Sequence, residues 1–224
     1  MKKFAVIVAG GTGLRMGNAI PKQFLLLQNK PLLWHTITAF ITAYNNIEII
    51  LVLPKDHLLI GKKIAEGFPL HTISIVEGGN TRFQSVKNGL ALLPPKAIVF
   101  VHDGVRCLVS VDLIHRCLEQ AVAKGSAIPA VAATDSIRIA NNDNCVIVNR
   151  NDVRIIQTPQ TFKSDLLLAA FEQNYNDSFT DEATVVEAFG DNIFLIEGDY
   201  NNLKITRPID LLIAEKILEE RLLF

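Results

Sequence analysis

Three stretches of this chain carry residue types whose spacing could do chemistry. The first is Val8-Ala-Gly-Gly-Thr-Gly-Leu-Arg-Met-Gly17, followed by Pro21-Lys22-Gln23. Glycines directly after an apolar run let backbone N–H groups approach a phosphate chain without side-chain obstruction, and Arg15 and Lys22 can add positive charge there. The dinucleotide fingerprint would need a third glycine at position 16, which is Met16, and the Walker pattern fails because no Gly-Lys-Ser or Gly-Lys-Thr follows. Taken alone, the stretch also reads as a glycine turn with two solvated basic residues.

The second stretch is Val101-His-Asp-Gly-Val-Arg106. An acid after a buried strand can hold a metal or a polyol hydroxyl, and Arg106 can pair with Asp103 or with a phosphate. A purely structural Asp–Arg pair is an equal reading of the same residues. The third is Gly78-Gly-Asn-Thr-Arg-Phe-Gln-Ser-Val86. It predicts a helix start with Asn80 as N-cap, in which Arg82 and Ser85, three apart, share a face. No Ser-His-Asp spacing argues for a covalent intermediate. His35, His57, His71 and His115 lack metal-ligand spacing, Trp34 reads as core, and nothing near Cys107 activates it as a nucleophile.

These residues need strands and helices to position them. Phe4 to Ala9, Ile47 to Leu53, Thr72 to Val76, Ala97 to Val101 and Ala127 to Ala133 read as strands. Leu33, Ile37, Phe40 and Ile41 mark the apolar face of one helix between them; Phe83, Val86, Leu90 and Leu93 mark a second, and Ile114, Leu118, Ala121 and Val122 a third. Further helices are expected at Lys163 to Gln173, Thr180 to Ala188 and Pro208 to Leu222. The βαβα order predicts an α/β fold: a single Rossmann-like, mostly parallel sheet with helices on both faces. Ser136 to Ile139 and Cys145 to Val148, around the turn-like Asn141-Asn142-Asp143-Asn144, predict a projecting β-hairpin arm at about 136–150. In such a sheet ligands gather at the carboxyl ends of the strands, where the glycine run, Gly78-Gly79, His102-Asp103 and Asp135 fall.

Composition bounds the partners. The 224 residues are 49% hydrophobic and 20% charged, enough for one sizeable core, so a single domain over 1–224 with no second enzymatic domain is expected. A formal net charge of −1 provides no overall positive field, which argues against nucleic acid and acidic membrane as partners. The longest apolar runs are far short of the roughly 20 residues that span a bilayer. The apolar run after Lys2-Lys3 is too short for a secretory signal and enters a glycine cluster. Three cysteines, Cys107, Cys117 and Cys145, an odd number without metal-site spacing, point to free thiols and a cytoplasmic location.

The glycine run with Arg-Met-Gly and Pro-Lys-Gln resembles the signature loop of sugar-phosphate and polyol-phosphate nucleotidyltransferases. With it come, in order, the Gly78 to Val86 and Val101 to Arg106 stretches, Gln157-Thr-Pro-Gln-Thr-Phe162, Thr180-Asp-Glu-Ala183 and Lys204-Ile-Thr-Arg-Pro208. Together these resemble the methylerythritol phosphate cytidylyltransferases of isoprenoid biosynthesis across nearly the whole chain. The chain differs from the usual pattern at Gly104, Val105 and Cys107, where two alanines and a proline are typical, and at Asn201.

The resemblance implies attack by a polyol-phosphate oxygen on the α-phosphorus of CTP, with Mg²⁺ bridging the CTP phosphates. It implies that Arg15 and Lys22 stabilise the transition state, that Ala9, Gly10, Gly11 and Gly13 bind nucleotide, and that Gly79, Arg82 and Ser85 recognise cytosine. Arg150 and Lys204 then position the polyol phosphate, with Asp103, Arg106, Ser136 and Thr158 as further substrate-binding residues and Asp103 the candidate metal ligand. It also implies a homodimer in which the arm crosses a two-fold axis, so that Arg150 or Ser136 completes the neighbouring subunit's site. The nearest alternative is a ribitol 5-phosphate cytidylyltransferase, against which Thr180-Asp-Glu-Ala and Thr206-Arg-Pro weigh. An NAD-dependent oxidoreductase and a non-catalytic nucleotide-binding module are alternatives of other classes.

Overall fold

The computed structural model describes residues 1–11, 20–141 and 144–221. Along the first half the elements are β1 (Lys3–Val8), β2 (Leu26–Leu27), β3 (Lys30–Pro31), α1 (Leu32–Ala43), β4 (Glu48–Leu53), α2 (Leu58–Ala65), β5 (Ile73–Glu77), α3 (Arg82–Leu90) and β6 (Ile98–Asp103). There follow α4 (Val111–Lys124), β7 (Ser126–Ala132), β8 (Ile137–Asn141), β9 (Asn144–Val148), β10 (Arg154–Ile156) and β11 (Gln160–Lys163). The chain closes with α5 (Ser164–Ala170), α6 (Glu182–Phe189), β12 (Leu195–Glu197) and α7 (Pro208–Arg221).

The large sheet runs β10-β7-β11-β6-β1-β4-β5, with β12 alongside β7. β1 lies parallel between β4 and β6, with Val8 opposite Val52 on one side and Asp103 on the other. Alternation explains why these strands read as continuous apolar runs. Ala5, Ile7, Ile49, Leu51 and Phe100 enter one core with α1, α2 and α4. Phe4, Val6, Ile50, Val52 and Val101 enter the other with α3, α5 and α6. The single mostly parallel sheet covered on both faces is as expected. β10 and β11 run antiparallel to β7, and β11 inserts antiparallel between β6 and β7. None of β10, β11 and β12 was legible as a strand, because at three or four residues each carries too few side chains to show a period.

Local signals account for the helix ends. Ser110 accepts from Leu113 N–H at the start of α4, which ends at Gly125 with φ of 99°. Asp181 and Thr184 form a reciprocal capping box on α6, and Gly190 closes it in the left-handed region. The N-cap of α3 is Thr81, whose side chain accepts from Gln84 N–H, so the expectation of Asn80 is off by one. Val122 is about half exposed and does not belong to the buried face of α4, which consists of Leu113, Ile114, Cys117 and Ala121.

The β8–β9 hairpin forms a separate two-stranded sheet. Its register pairs Ile137 with Val148 and Ile139 with Val146 on one face.

Candidate active site

Parallel β1, β4, β5 and β6 end on the same edge of the sheet, and their continuations wall an open cavity of about 360 Å³. Ala9, Gly10 and Gly11 follow β1, Pro54 follows β4, Gly78 and Gly79 follow β5, and Asp103 ends β6. Lys22, Arg82, Ser85 and Lys204 also line it. The first turn of α3 faces this space with no acidic residue in it, so its N–H groups and dipole favour an anion.

The Gly78–Ser85 segment is rigid for identifiable reasons. Ser85 Oγ donates to Thr81 O at 2.9 Å and accepts from Gly79 N–H at 3.1 Å. A Cβ at Gly79 would lie 2.1 Å from Gln84 Cγ and 2.5 Å from its Cβ, so the loop can approach α3 this closely only with glycine there. Gln23, in the Pro-Lys-Gln segment but not singled out there, is buried and donates to Ala9 O at 2.8 Å. It fixes the carbonyl that ends the β1 side of the cavity.

A second cavity of about 200 Å³ lies beside the first, lined by Arg106, Thr158, Gln160, Thr180 and Asp181 among others. Arg82, Asp103 and Lys204 line both cavities, so these three side chains are the wall between them. Lys204 Nζ stands 2.8 Å from Asp103 Oδ2, Arg106 Nε 3.7 Å from the same oxygen, and Arg82 Nη2 3.5 Å from Oδ1. Burial opposes the Asp103 charge, but Arg82, Lys204 and Arg106 outweigh it and hold the carboxyl well below the usual carboxylate range.

On its far side Arg82 pairs with Glu182, through Nη1 to Oε1 and through Nη2 to Oε2 at 3.0 Å. Burial opposes the Arg82 charge; Glu182 and Asp103 reverse this and raise its pKa above the ordinary value. Glu182 is completely buried; it belongs to the Thr180-Asp-Glu-Ala183 motif, but no local pattern signals a role for it. The guanidinium of Arg82, expected at cytosine, is thus held at the seam of the two cavities. Arg106 donates to Asn202 O at 2.8 Å, and Asn202 Nδ2 donates to Thr158 O at 2.8 Å. Buried Asn202 therefore ties two substrate-binding candidates together, a role that no local pattern signals.

The expected residues fall into three groups. Ala9, Gly10, Gly11, Lys22, Gly79 and Ser85 meet at the larger cavity, and Arg106 and Thr158 at the smaller, with Arg82, Asp103 and Lys204 between them. Arg150 and Ser136 line neither. Arg150 is exposed and donates to Thr134 O at 3.0 Å, while Ser136 is exposed at the foot of the arm. Gly13 and Arg15 lie outside the described residues. Cys107 and Cys117 are buried, with thiols pushed up by desolvation to about 12, consistent with inert core cysteines.

Comparison with known proteins points to the family that the sequence resembles. The family model for 2-C-methyl-D-erythritol 4-phosphate cytidylyltransferase matches residues 4–220. The chain is 44% identical over 220 residues to the Bacteroides fragilis protein of that name, covering 97% of this chain and 100% of that one. It is also 44% identical to its counterpart in Porphyromonas gingivalis, covering 97% and 98%. A crystal structure of 4-diphosphocytidyl-2C-methyl-D-erythritol synthase from Anaerococcus prevotii superposes with a TM-score of 0.83 at 30% identity, covering 97% and 98% of the two chains. With its two joined cavities and its motifs in order along the sheet edge, the chain belongs to the 2-C-methyl-D-erythritol 4-phosphate cytidylyltransferase family.

Proposed function

We propose that this chain transfers the cytidylyl group of CTP to 2-C-methyl-D-erythritol 4-phosphate, releasing pyrophosphate and forming 4-diphosphocytidyl-2-C-methyl-D-erythritol. The observation that carries this reading is the shared wall: Arg82, Asp103 and Lys204 line both cavities, so ligands in the two spaces meet across it. The larger cavity, with its glycine backbone and the N-terminus of α3, suits the nucleotide. The smaller suits the polyol phosphate.

In the reaction a phosphate oxygen of the acceptor bonds to the α-phosphorus of CTP as the bond to the β-phosphate oxygen breaks, and the electron pair leaves with pyrophosphate. The obstacle is repulsion between two anions. A cation about 4 Å from a phosphate oxygen gains roughly 4 kcal/mol at an effective dielectric near 20, before desolvation. Cations already fixed in place therefore lower the barrier without a covalent intermediate. Lys22 supplies such a charge at the larger cavity and Lys204 at the wall. Asp103 holds Lys204, Arg106 and Arg82 in one cluster of fixed geometry.

A magnesium ion held by the protein does not fit the described residues. Among the described residues Asp103 is the one acid lining the larger cavity, and three cations already occupy its carboxylate. No group of three His, Cys, Asp or Glu side chains among the described residues is arranged to hold a metal. A Mg²⁺ accompanying CTP would be held by phosphate oxygens.

The reading extends to a homodimer. Ile139 and Val146 on the arm are more than half exposed, and an isolated two-stranded arm needs a surface to cover. Arg150 and Ser136, at its two ends, lie outside the cavities of their own subunit, as they would if each served the other subunit's site. Three free cysteines support a reducing compartment, the cytoplasm. Among the described residues no helix is long and apolar enough to cross a membrane.

The test is pyrophosphate release from CTP with methylerythritol 4-phosphate and ribitol 5-phosphate side by side. Turnover with the first and not the second is expected. The reverse preference would overturn the acceptor, and silence with both would overturn the activity.

A further inference from the structure

Behind the smaller cavity lies a buried group that the proposed reaction does not use. His102, in the middle of the sheet on β6, is completely buried. Its Nε2 lies 3.1 Å from the carbonyl oxygen of Arg106, and its Nδ1 lies 2.9 Å from Thr158 Oγ1. The ring of Phe40 packs edge-on against it at 5.2 Å and 72°, which limits its rotation.

The hydrogen-bond inventory then determines every proton. A carbonyl oxygen only accepts, so the proton of this pair sits on Nε2. The ring is completely buried and both of its nitrogens meet uncharged groups, a carbonyl oxygen and a hydroxyl, so it is held neutral and Nδ1 is bare. The Thr158 hydroxyl must therefore donate to Nδ1. The same oxygen accepts the Asp103 backbone N–H at 3.1 Å. Its hydrogen and one lone pair are thus committed, and one lone pair remains.

We propose that His102 is a positioning residue that locks the Thr158 hydroxyl as a pure hydrogen-bond acceptor, so that the smaller cavity meets a ligand hydroxyl at that point and not a phosphate oxygen. A free threonine hydroxyl rotates to donate or accept as its partner requires. Locked by His102 it can only accept, and a phosphate oxygen without a proton has nothing to give it. The Asn202 bond to Thr158 O holds the backbone while His102 holds the hydroxyl. The proposal rests on the smaller cavity being the polyol-phosphate pocket.

Two amide substitutions separate the two ring nitrogens: asparagine places its amide near Nδ1, and glutamine reaches the position of Nε2. The acceptor KM, the CTP KM and kcat are measured for the wild-type enzyme, His102→Gln, His102→Asn, Thr158→Val and the double variant His102→Gln/Thr158→Val. Expected is an acceptor KM raised about tenfold in His102→Gln, the scale of one lost hydrogen bond, with the CTP KM unchanged and a smaller effect in His102→Asn. Thr158→Val should match His102→Gln, and the double variant should be no worse than Thr158→Val alone. Multiplying effects in the double variant, or an equal rise in the CTP KM, would show that His102 does not act through Thr158 and overturn the proposal. Nitrogen-15 NMR of the histidine rings in the wild-type protein tests the lock without any acceptor and whether or not the variants fold. A protonated Nε2 and bare Nδ1 at pH 7 support it, and the opposite tautomer overturns it. Failure of the wild-type enzyme to use the polyol phosphate, with the expected tautomer present, would count against the proposed acceptor and leave the lock standing.

Discussion

Arg82 and Glu182, 100 residues apart in sequence, meet as a two-pronged ion pair behind the wall between the two cavities. Glu182 has no exposed surface, and Arg82 reaches from it to Asp103. The arrangement aims one guanidinium at the seam where nucleotide and acceptor meet, while the capping box at Asp181 sets the helix that carries Glu182.

Glu182→Gln should therefore destabilise the protein by about 3 kcal/mol, at the lower end for a broken buried pair because Asp103 still faces Arg82. Urea unfolding checks this. The KM values for both substrates should rise together, since Arg82 lines both cavities. A rise in one alone would place Arg82 on one side of the wall.

Asp103 predicts a pH dependence. Its folded pKa lies below the unfolded value of 3.8, so the stability it contributes is present above pH 3.8 and is lost as the pH falls toward the folded value. Asp103→Asn should lower the melting temperature near neutral pH and remove part of the fall on acidification. Melting curves from pH 6 to pH 2 for both proteins read the difference, which should narrow at the acid end.

Gly79→Ala should weaken CTP binding, because the added Cβ collides with the Gln84 side chain and pushes the loop off α3. Ser85→Ala removes the bonds to Gly79 and Thr81 and should cost about 1 kcal/mol of CTP affinity. Calorimetric titration with CTP and UTP measures both; an unchanged affinity and base preference in both variants would remove this segment from the base pocket.

Lys22→Ala and Arg15→Ala should each reduce kcat by about 100-fold or more with the fold intact, the scale of one lost transition-state contact. Steady-state kinetics with circular dichroism as the folding control decide this, and near-normal turnover would refute the assigned role.

Mixing inactive Arg150→Ala subunits with inactive Lys22→Ala subunits should restore activity, because a heterodimer with crossed arms carries one site with both lesions and one with neither. If subunit exchange is verified by mass-tagged chains and no activity returns, Arg150 serves its own subunit.

The sequence by itself determined the strands β1, β4, β5, β6 and β7, the helices α1, α3, α4, α5, α6 and α7, the hairpin and the ordered motifs, because those signals are local; the two-residue strands β2 and β3 and the eight-residue α2 were too short to show a period. A strand buried on both faces shows as an apolar run, and a phosphate-approaching loop needs glycine at particular positions. Family resemblance to the whole set of motifs then brought Lys204 and Thr158 to the site, although nothing in their immediate neighbours marks either. Only the tertiary structure decided that β11 inserts antiparallel between β6 and β7, carrying Thr158 at its entrance up to His102 and Asp103. It alone revealed Glu182 behind Arg82, Asn202 linking Arg106 to Thr158, and Arg150 standing away from the cavities of its own subunit. These relationships join residues 56 and 100 positions apart, and no periodicity in a chain records which distant side chains will share one buried hydrogen-bond network, because that is settled by how the layers pack.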